Sequence, residues 1–410
     1  MPWWQYLLVY LPFVFAFGAI VGSFLNVVIL RMPAGENLVR PASHCPKCQR
    51  RLKWNENLPI VGWIWLRGKC RGCGCHISMQ YPLVEAVMGL LFVSFFALCY
   101  LVRPTAPYIH DLVPAWWSMY GVDKTWPWMF LYLCMFSSLA AMTVIDARTF
   151  MIPIQLTWAV TIPAFVVHAI APLWPAGTFA SRLGSSAVLQ NWVLPLVGPA
   201  GFGAGLGGLI GVFVGVALLR FGNLRHSFLD FAHFVGEDDD ITSYPRPRRE
   251  LEWEFDFLGF ALAGVMLGWW IGHQWAVGSG GSQHTLPVWL GALGGSMVGY
   301  LCGGALIWGI RLLGTLAFGK EAMGLGDAHL LACVGAVVGW IDPILIFLIA
   351  PFLAIAWMLV TSVMGRLFGG FTQVLPYGPW LALSTMVVIL GDRWLEPLLS
   401  RLLRMPIDLP

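Results

Sequence analysis

Long apolar runs almost free of charge decide what this chain can fold into. Residues 6–30 hold no charged side chain, and nine later stretches carry at most one each: 83–102, 127–145, 154–172, 198–219, 257–276, 288–310, 328–341, 343–365 and 377–391. About 20 apolar residues in a helix cross the ~30 Å hydrocarbon core, and a helix satisfies its own backbone there. The stretch 328–341 is at the short end for a crossing. No small-residue cleavage site follows 6–30, so it reads as a retained helix, not a removed signal peptide. The composition agrees: 58% of the 410 residues are hydrophobic and only 11% charged, against ~25% charged in soluble proteins. A water-soluble enzyme, a disordered regulator and a basic nucleic-acid binder are thereby excluded as classes. A net charge of +3 gives no global attraction to nucleic acid, so none is expected as a partner. The expected fold is an all-α polytopic membrane protein with eight to ten transmembrane helices, its outer surface in the lipid bilayer.

The polar segments set the orientation. Between Arg31 and Tyr81 lie nine Lys/Arg against two acids, which places this loop in the cytoplasm by the positive-inside rule. Alternation makes the turns carrying Arg148, the cluster Arg246, Arg248 and Arg249, and Arg311 with Lys320 cytoplasmic as well. The amino terminus is expected to be outside and short. The segment 221–256, with its acidic run Glu237-Asp238-Asp239-Asp240, reads as a solvated loop.

The first chemical signal is Cys45-Pro46-Lys47-Cys48 answered by Cys70-Arg71-Gly72-Cys73. Two CxxC knuckles about 20 residues apart can set four thiolates around zinc, as in a zinc ribbon. Four protein ligands leave no open position, so the zinc is expected to be structural. A thioredoxin-type dithiol would need a βαβ setting that this loop lacks. Cys75 reads as a bystander, and His44 and His76 as flanking residues that four cysteines make unnecessary. Nine cysteines are too few and too uneven for a disulfide scaffold.

The second signal is acidic. Asp146 closes the third span in Asp146-Ala147-Arg148-Thr149-Phe150-Met151-Ile152-Pro153, and Asp327 begins a short span in Gly324-Leu325-Gly326-Asp327. Carboxylates beside a membrane span are costly and tend to be functional. If two such groups meet, they can share a proton: the ionised one acts as general base on water and the protonated one donates to a carbonyl. Gly324 and Gly326 would permit a tight supporting turn that brings Asp327 close to a peptide. Taken singly, each aspartate could equally be a helix cap.

Together these residues resemble the type IV prepilin peptidases, the membrane aspartyl proteases of pilus and type II secretion systems. The resemblance starts at Gly22-Ser23-Phe24-Leu25-Asn26-Val27-Val28-Ile29-Leu30-Arg31-Met32-Pro33. It passes through Asn57-Leu58-Pro59, Leu66-Arg67-Gly68-Lys69-Cys70 and Tyr81-Pro82-Leu83-Val84-Glu85. Asp146 with Pro153, the GxGD run Gly324 to Asp327 after Lys320-Glu321-Ala322-Met323, and Leu375-Pro376-Tyr377-Gly378-Pro379 complete it. The resemblance implies cleavage of the basic leader of prepilins and pseudopilins on the cytoplasmic side, by Asp146 and Asp327. It also implies methylation of the new amino terminus with S-adenosylmethionine, for which no ligands can be assigned. The location implied is the bacterial inner membrane, with both aspartates and the zinc loop facing the cytoplasm. Two departures stand out: Ile154 follows Pro153 where the family usually has Asp or Asn, and His329 stands where it often has Lys.

The expected organisation is a first span (1–30), a zinc-binding loop (31–81), spans carrying Asp146 (82–174), an insertion with two extra spans and the acidic loop (175–285), and spans carrying Asp327 (286–410). Two extra crossings preserve parity, so Asp327 stays on the face of Asp146. The glycine-rich spans 198–219 and 288–310 are read as close-packing helices. A transporter with a zinc-ribbon regulatory domain would also use intramembrane acids, but it would predict inverted repeats, which are not apparent. An inactive pilus-assembly scaffold is disfavoured by the intact aspartates.

Overall fold

The computed structural model describes residues 9–101, 117, 121–173, 194–225, 227, 247–278, 286–319, 322–368 and 376–403. The acidic run 237–240, Arg246, Lys320, Glu321 and Leu375 lie outside the described residues. Among the described residues the helices are α1 (Leu11–Arg31), α2 (Val61–Trp65), α3 (Gln80–Tyr100), α4 (Val122–Thr149), α5 (Ile154–Ile170), α6 (Pro199–Arg220), α7 (Pro247–Gly278), α8 (Val288–Phe318), α9 (Leu325–Val338), α10 (Asp342–Phe368) and α11 (Gly378–Leu403). The only extended pairing there is two isolated bridges, His44↔Arg51 and Lys69↔His76.

Each apolar stretch read from the sequence coincides with a helix. Eight are long and apolar enough to cross a membrane, while α9 and the apolar part of α11 are shorter. At ~1.5 Å per residue α9 spans only ~21 Å. It is buried along nearly its whole length, from Ala328 and Leu330 to Val338, so it is an interior helix of the bundle. Several helices outrun their apolar stretches, because a helix keeps its backbone paired as it continues into polar sequence. α7 begins at Pro247 and α8 ends at Phe318. Arg311, expected in a connecting turn, therefore sits inside α8 and is 2% exposed. Outward residues such as Phe213, Met266, Phe352 and Met358 are apolar and exposed, as a lipid-facing surface requires.

The chain divides into two units, residues 1–156 with 390–394 and residues 157–389 with 395–410. In the first, α1 packs along α3 through small residues. A Cβ on Gly18 would meet the Met88 carbonyl at 2.7 Å, and one on Gly22 would meet the Glu85 Cα at 2.7 Å. An aromatic cluster fills the α3–α4 contact, with Phe95 edge-on to Phe136 at 5.0 Å and 5.6 Å from Tyr132. Edge-to-face pairs of this kind add to plain area burial.

The second unit is built on glycine. Gly203, Gly207 and Gly211 of α6 lie against the backbone of α7 at Gly268, Gly264 and Phe260, while Gly205 of the same helix faces α8 and Gly208 sits between Leu301 of α8 and Val265 of α7. On α8, Gly299 and Gly303 lie against the backbone of α9 at Gly335 and Leu331. The Ser296 hydroxyl donates to the Ala336 carbonyl at 2.5 Å across the same seam. The glycine density of the two spans is thus a packing device, since small residues let backbones touch where no hydrophobic drive separates helix from lipid.

A Gly299→Leu variant should be recovered poorly or melt well below wild type, because its side chain would meet the Gly335 backbone, which has nowhere to shift. Overpacking of a core costs ~1–3 kcal/mol even where side chains can yield. Gly309→Ala, on the same helix with nothing within 4 Å of the added carbon, should melt like wild type. Detergent-extracted protein and thermal melting read both.

Candidate functional site

The loop between α1 and α3 is two copies of one turn, 25 residues apart. In the first, the Cys45 N–H donates to the Arg50 carbonyl and the Gln49 N–H to the Cys45 carbonyl; in the second, Cys70 donates to Cys75 and Gly74 to Cys70. Gln49 (φ 56°) and Gly74 (φ 68°) take the same left-handed conformation. That geometry is natural for glycine and uncommon for glutamine. Gln49 offsets part of the strain by donating its side-chain amide to the Pro46 carbonyl at 3.1 Å. The bridges at His44↔Arg51 and Lys69↔His76 close the two turns.

The turns bring the sulfurs of Cys45, Cys48, Cys70 and Cys73 within 4.8 Å of one another. Zinc at ~2.3 Å from four tetrahedral sulfurs needs them ~3.8 Å apart, and Cys45–Cys73 and Cys48–Cys70 measure 3.8 and 3.9 Å. Backbone N–H groups point at the thiols. Those of Cys48 and Lys47 draw Cys45 down to about 6, and those of Cys73 and Gly72 lower Cys70. Donors aimed at sulfur favour thiolate, the form that binds metal. The Cys48 thiol, despite the Arg50 N–H, is pushed up to about 11 by burial and the neighbouring thiols of Cys45, Cys73 and Cys70, so it is the spacing of the four sulfurs that fits a zinc ion. Cys75, read as a bystander, lies 3.4 Å from Cys45 without belonging to the mutually close four.

Glu56, which the sequence reading left unassigned, is the hub of the loop. Its carboxylate accepts two bonds from Arg50 at 2.8 and 2.9 Å and one from the Lys53 N–H at 3.0 Å, and Arg71 approaches to 3.9 Å. Arg50 follows the first knuckle and Arg71 lies in the second, so one buried carboxylate ties both. Lys53's amide and Arg50's guanidinium hold the Glu56 carboxyl below its ordinary value. The loop is fastened to the helices where family-like motifs occur. Glu85 of α3 accepts the Ile60 N–H of the loop at 2.6 Å, and Asn26 of α1 donates to the Tyr81 carbonyl in the first turn of α3 at 3.1 Å, which joins the two flanking helices. Gly22 gives α1 the close approach that puts Asn26 there. Neither Asn26 nor Glu85 was singled out beyond its motif. Each is a buried polar side chain with a backbone partner, as burial demands.

Asp146 lies in the last turn of α4 and is 5% exposed. The helix ends at Thr149, with Phe150 as its C-cap in the left-handed region (φ 53°) and its N–H bonded to the Asp146 carbonyl. Asp327 is in the first turn of α9, whose N-cap is Gly324 in extended conformation (φ −72°, ψ 144°) without a side-chain cap. Asp327 is half-buried, and a carbon added to Gly324 would stand 3.9 Å from its Oδ2. Tyr377, from the last motif, lies within electrostatic range of Asp327 and donates its hydroxyl to the Phe347 carbonyl at 3.3 Å. Ile154 is the first residue of α5 and 41% exposed. His329 is half-buried on α9. Asp146 belongs to the first unit and Asp327 to the second.

Residues 16–99 match the model of the Bacterial Peptidase A24 N-terminal domain. The prepilin leader peptidase/N-methyltransferase of Myxococcus xanthus is 49% identical over 105 residues, which are 25% of this chain and 31% of that protein. The protein of the same name from Aeromonas hydrophila is 26% identical over 96% of this chain and 94% of its own length. That from Klebsiella pneumoniae is 41% identical over 27% and 49%. No solved structure matches the chain. The resemblance read from the motifs is thus borne out: the stretch from α1 through the cysteine loop to α3 matches the bacterial A24 peptidase amino-terminal domain model, and nearly the whole chain is similar to prepilin leader peptidase/N-methyltransferases.

Proposed function

We propose that this protein is a membrane aspartyl endopeptidase of the bacterial inner membrane. It removes the leader of prepilins and pseudopilins on the cytoplasmic side, and it N-methylates the exposed amino terminus with S-adenosylmethionine. The carrying observation is the similarity over 96% of the chain to a relative whose name couples the two activities. The charge of the loop 31–81 supports its cytoplasmic placement.

Asp146 and Asp327 are the proposed carboxylates. In the reaction the ionised one takes a proton from water as the water attacks the scissile carbonyl. The protonated one donates to the carbonyl oxygen, and the tetrahedral intermediate collapses with proton transfer to the leaving amine. The local settings suit such work: one aspartate is nearly sealed from solvent, and the other stands half-buried beside a turn of two glycines. A substrate's apolar amino-terminal helix would lie among the spans, with its scissile bond at their cytoplasmic ends. Asp146→Asn and Asp327→Asn should each lower prepilin cleavage by ~10²–10⁴-fold, the usual share of an acid–base group. Gel mobility of the cleaved pilin reads this. Full cleavage by either variant removes that residue from the chemistry, and failure of wild type on several prepilins favours a scaffold or transporter.

The cysteine loop would hold one structural zinc through Cys45, Cys48, Cys70 and Cys73. The cleft beside it, lined by Asn55, Glu56, Gly62, Trp65, Leu66 and Arg71, encloses about 200 Å³, below the ~300–1,000 Å³ of most small-molecule sites. No methyl-donor ligands are assigned to it. Elemental analysis should find one zinc per chain, lost in Cys45→Ser and Cys73→Ser but kept in Cys75→Ser. Transfer of a labelled methyl group to cleaved pilin tests the second activity separately.

Acid should loosen the loop. Glu56 has a depressed carboxyl, so its stabilising share is present above the ordinary value of 4.5 and is lost as the pH falls from there through the depressed one. Limited proteolysis of the loop against pH should show that limb, and Glu56→Gln should flatten it.

A further inference from the structure

The longest helix outside the motif-bearing segments sends a carboxylate into the neighbourhood of the GxGD turn. Glu254 lies on α7, within the segment 175–285 that the sequence reading takes as an insertion. It meets Arg311 of α8, both side chains 3% exposed, at 3.0 Å between Oε1 and Nη2. The guanidinium Nε also donates to Oε1 and Oε2 at 3.2 and 3.4 Å. Trp308 Nε1 donates to Glu254 Oε2 at 2.7 Å and the Ser227 hydroxyl to Oε1 at 3.0 Å. Phe257, one turn along α7, stacks on Trp308 at 5.2 Å. The other end of the guanidinium, Nη1, donates to the Met323 carbonyl at 2.7 Å.

Met323 is the residue before Gly324, the N-cap of α9. The turn that follows has little stiffness of its own, with glycine at 324 and 326 and no side-chain cap. It is held from α8. Gly319 ends that helix in the left-handed region (φ 68°), the Ala322 N–H reaches the Thr315 hydroxyl at 3.4 Å, and Arg311 grips the Met323 carbonyl one turn earlier. An arginine in such a place must be neutralised, because a lone buried charge is costly. Glu254 does this and also fixes the plane of the guanidinium, leaving one edge aimed at Met323. Arginine suits the task since its planar fork serves both partners at once, which an ammonium cannot.

We propose that Glu254 and Arg311 are positioning residues for the peptidase reaction: the 175–285 segment sets, through Arg311 and the Met323 carbonyl, where the Gly324–Asp327 turn presents its carboxylate. This rests on Asp327 being a catalytic carboxylate. The competing role is a staple between α7 and α8 with no bearing on the turn.

The two roles separate in the full-length enzyme assayed on a prepilin. The exchange Glu254→Arg with Arg311→Glu keeps an ion pair between the helices, but a glutamate at 311 has no donor for Met323. Arg311→Lys keeps the charge opposite Glu254 while losing the second edge of the fork. Each variant that folds should show kcat lowered by ~10–100-fold, as expected of a displaced catalytic group. KM should stay near wild type because leader contacts are untouched, and hydrogen exchange should be faster at 324–327. Wild-type kcat per folded molecule in either variant overturns the proposal. So does a loss explained entirely by a smaller folded fraction. Asp327→Asn run alongside keeps the two readings apart. Its activity would remove Asp327 from the chemistry and the positioning role with it. An inactive Asp327→Asn beside a fully active exchange variant would overturn the positioning role alone.

Discussion

Backbone touching backbone at glycine is the constraint on which the second unit depends. α8 meets α9 at Gly299 and Gly303 with no side chain between them, and α6 meets α7 in the same way at Gly203, Gly207 and Gly211. Lipid is as apolar as leucine, so the gain comes from close van der Waals contact and from polar bonds such as Ser296 to Ala336. α9 can be short only because α8 lies flush against it and takes the place of lipid. The start of α9 follows from that contact, and with it the position of Asp327 in its first turn. Arg311 approaches Met323 from the same helix that carries Gly299 and Gly303. One helix thus sets both the depth of α9 and the restraint on the turn before it.

The first unit works by a different economy. Its cysteine loop is small, and its core is a set of charges and thiols more than a cluster of apolar side chains. Glu56 neutralises Arg50, accepts a backbone amide and draws in Arg71, so one carboxylate binds both knuckles. A segment this small buries only a modest share of its apolar surface and is marginal as a fold by itself. One buried acid tying both knuckles, beside four cysteines gathered at the spacing of a metal site, is what the loop has in place of an apolar core. Glu85 then connects it to α3 through a backbone bond to Ile60, and Asn26 ties α1 to the first turn of α3, so the loop rides on two helices that are themselves joined.

Much of this could be read from residue order. Hydropathy located every long helix among the described residues, because a bilayer leaves a spanning segment no alternative to an apolar helix. The knuckles were legible because tetrathiolate spacing is local: each turn closes within six residues. The motif pairs Gly22–Asn26 and Tyr81–Glu85 were visible as resemblance only. Their physical content, a close helix approach and two backbone bonds, needed the two segments side by side. Glu254 and Arg311 gave no signal, since charged residues at helix ends are ordinarily solvated and nothing in a sequence reports that two of them, 57 positions apart, face each other in a dry interior.

The sequence by itself determined the class of the protein, the apolar stretches, the cysteine turns and the aspartates that carry the family resemblance, because each depends on composition or on neighbours along the chain. The tertiary structure alone decided that Arg311 belongs to the interior, that Glu56 joins two knuckles and that Glu254 reaches toward the turn before Asp327. Those are contacts between distant segments, and burial, which no local pattern encodes, gives a charge its partner and its strength.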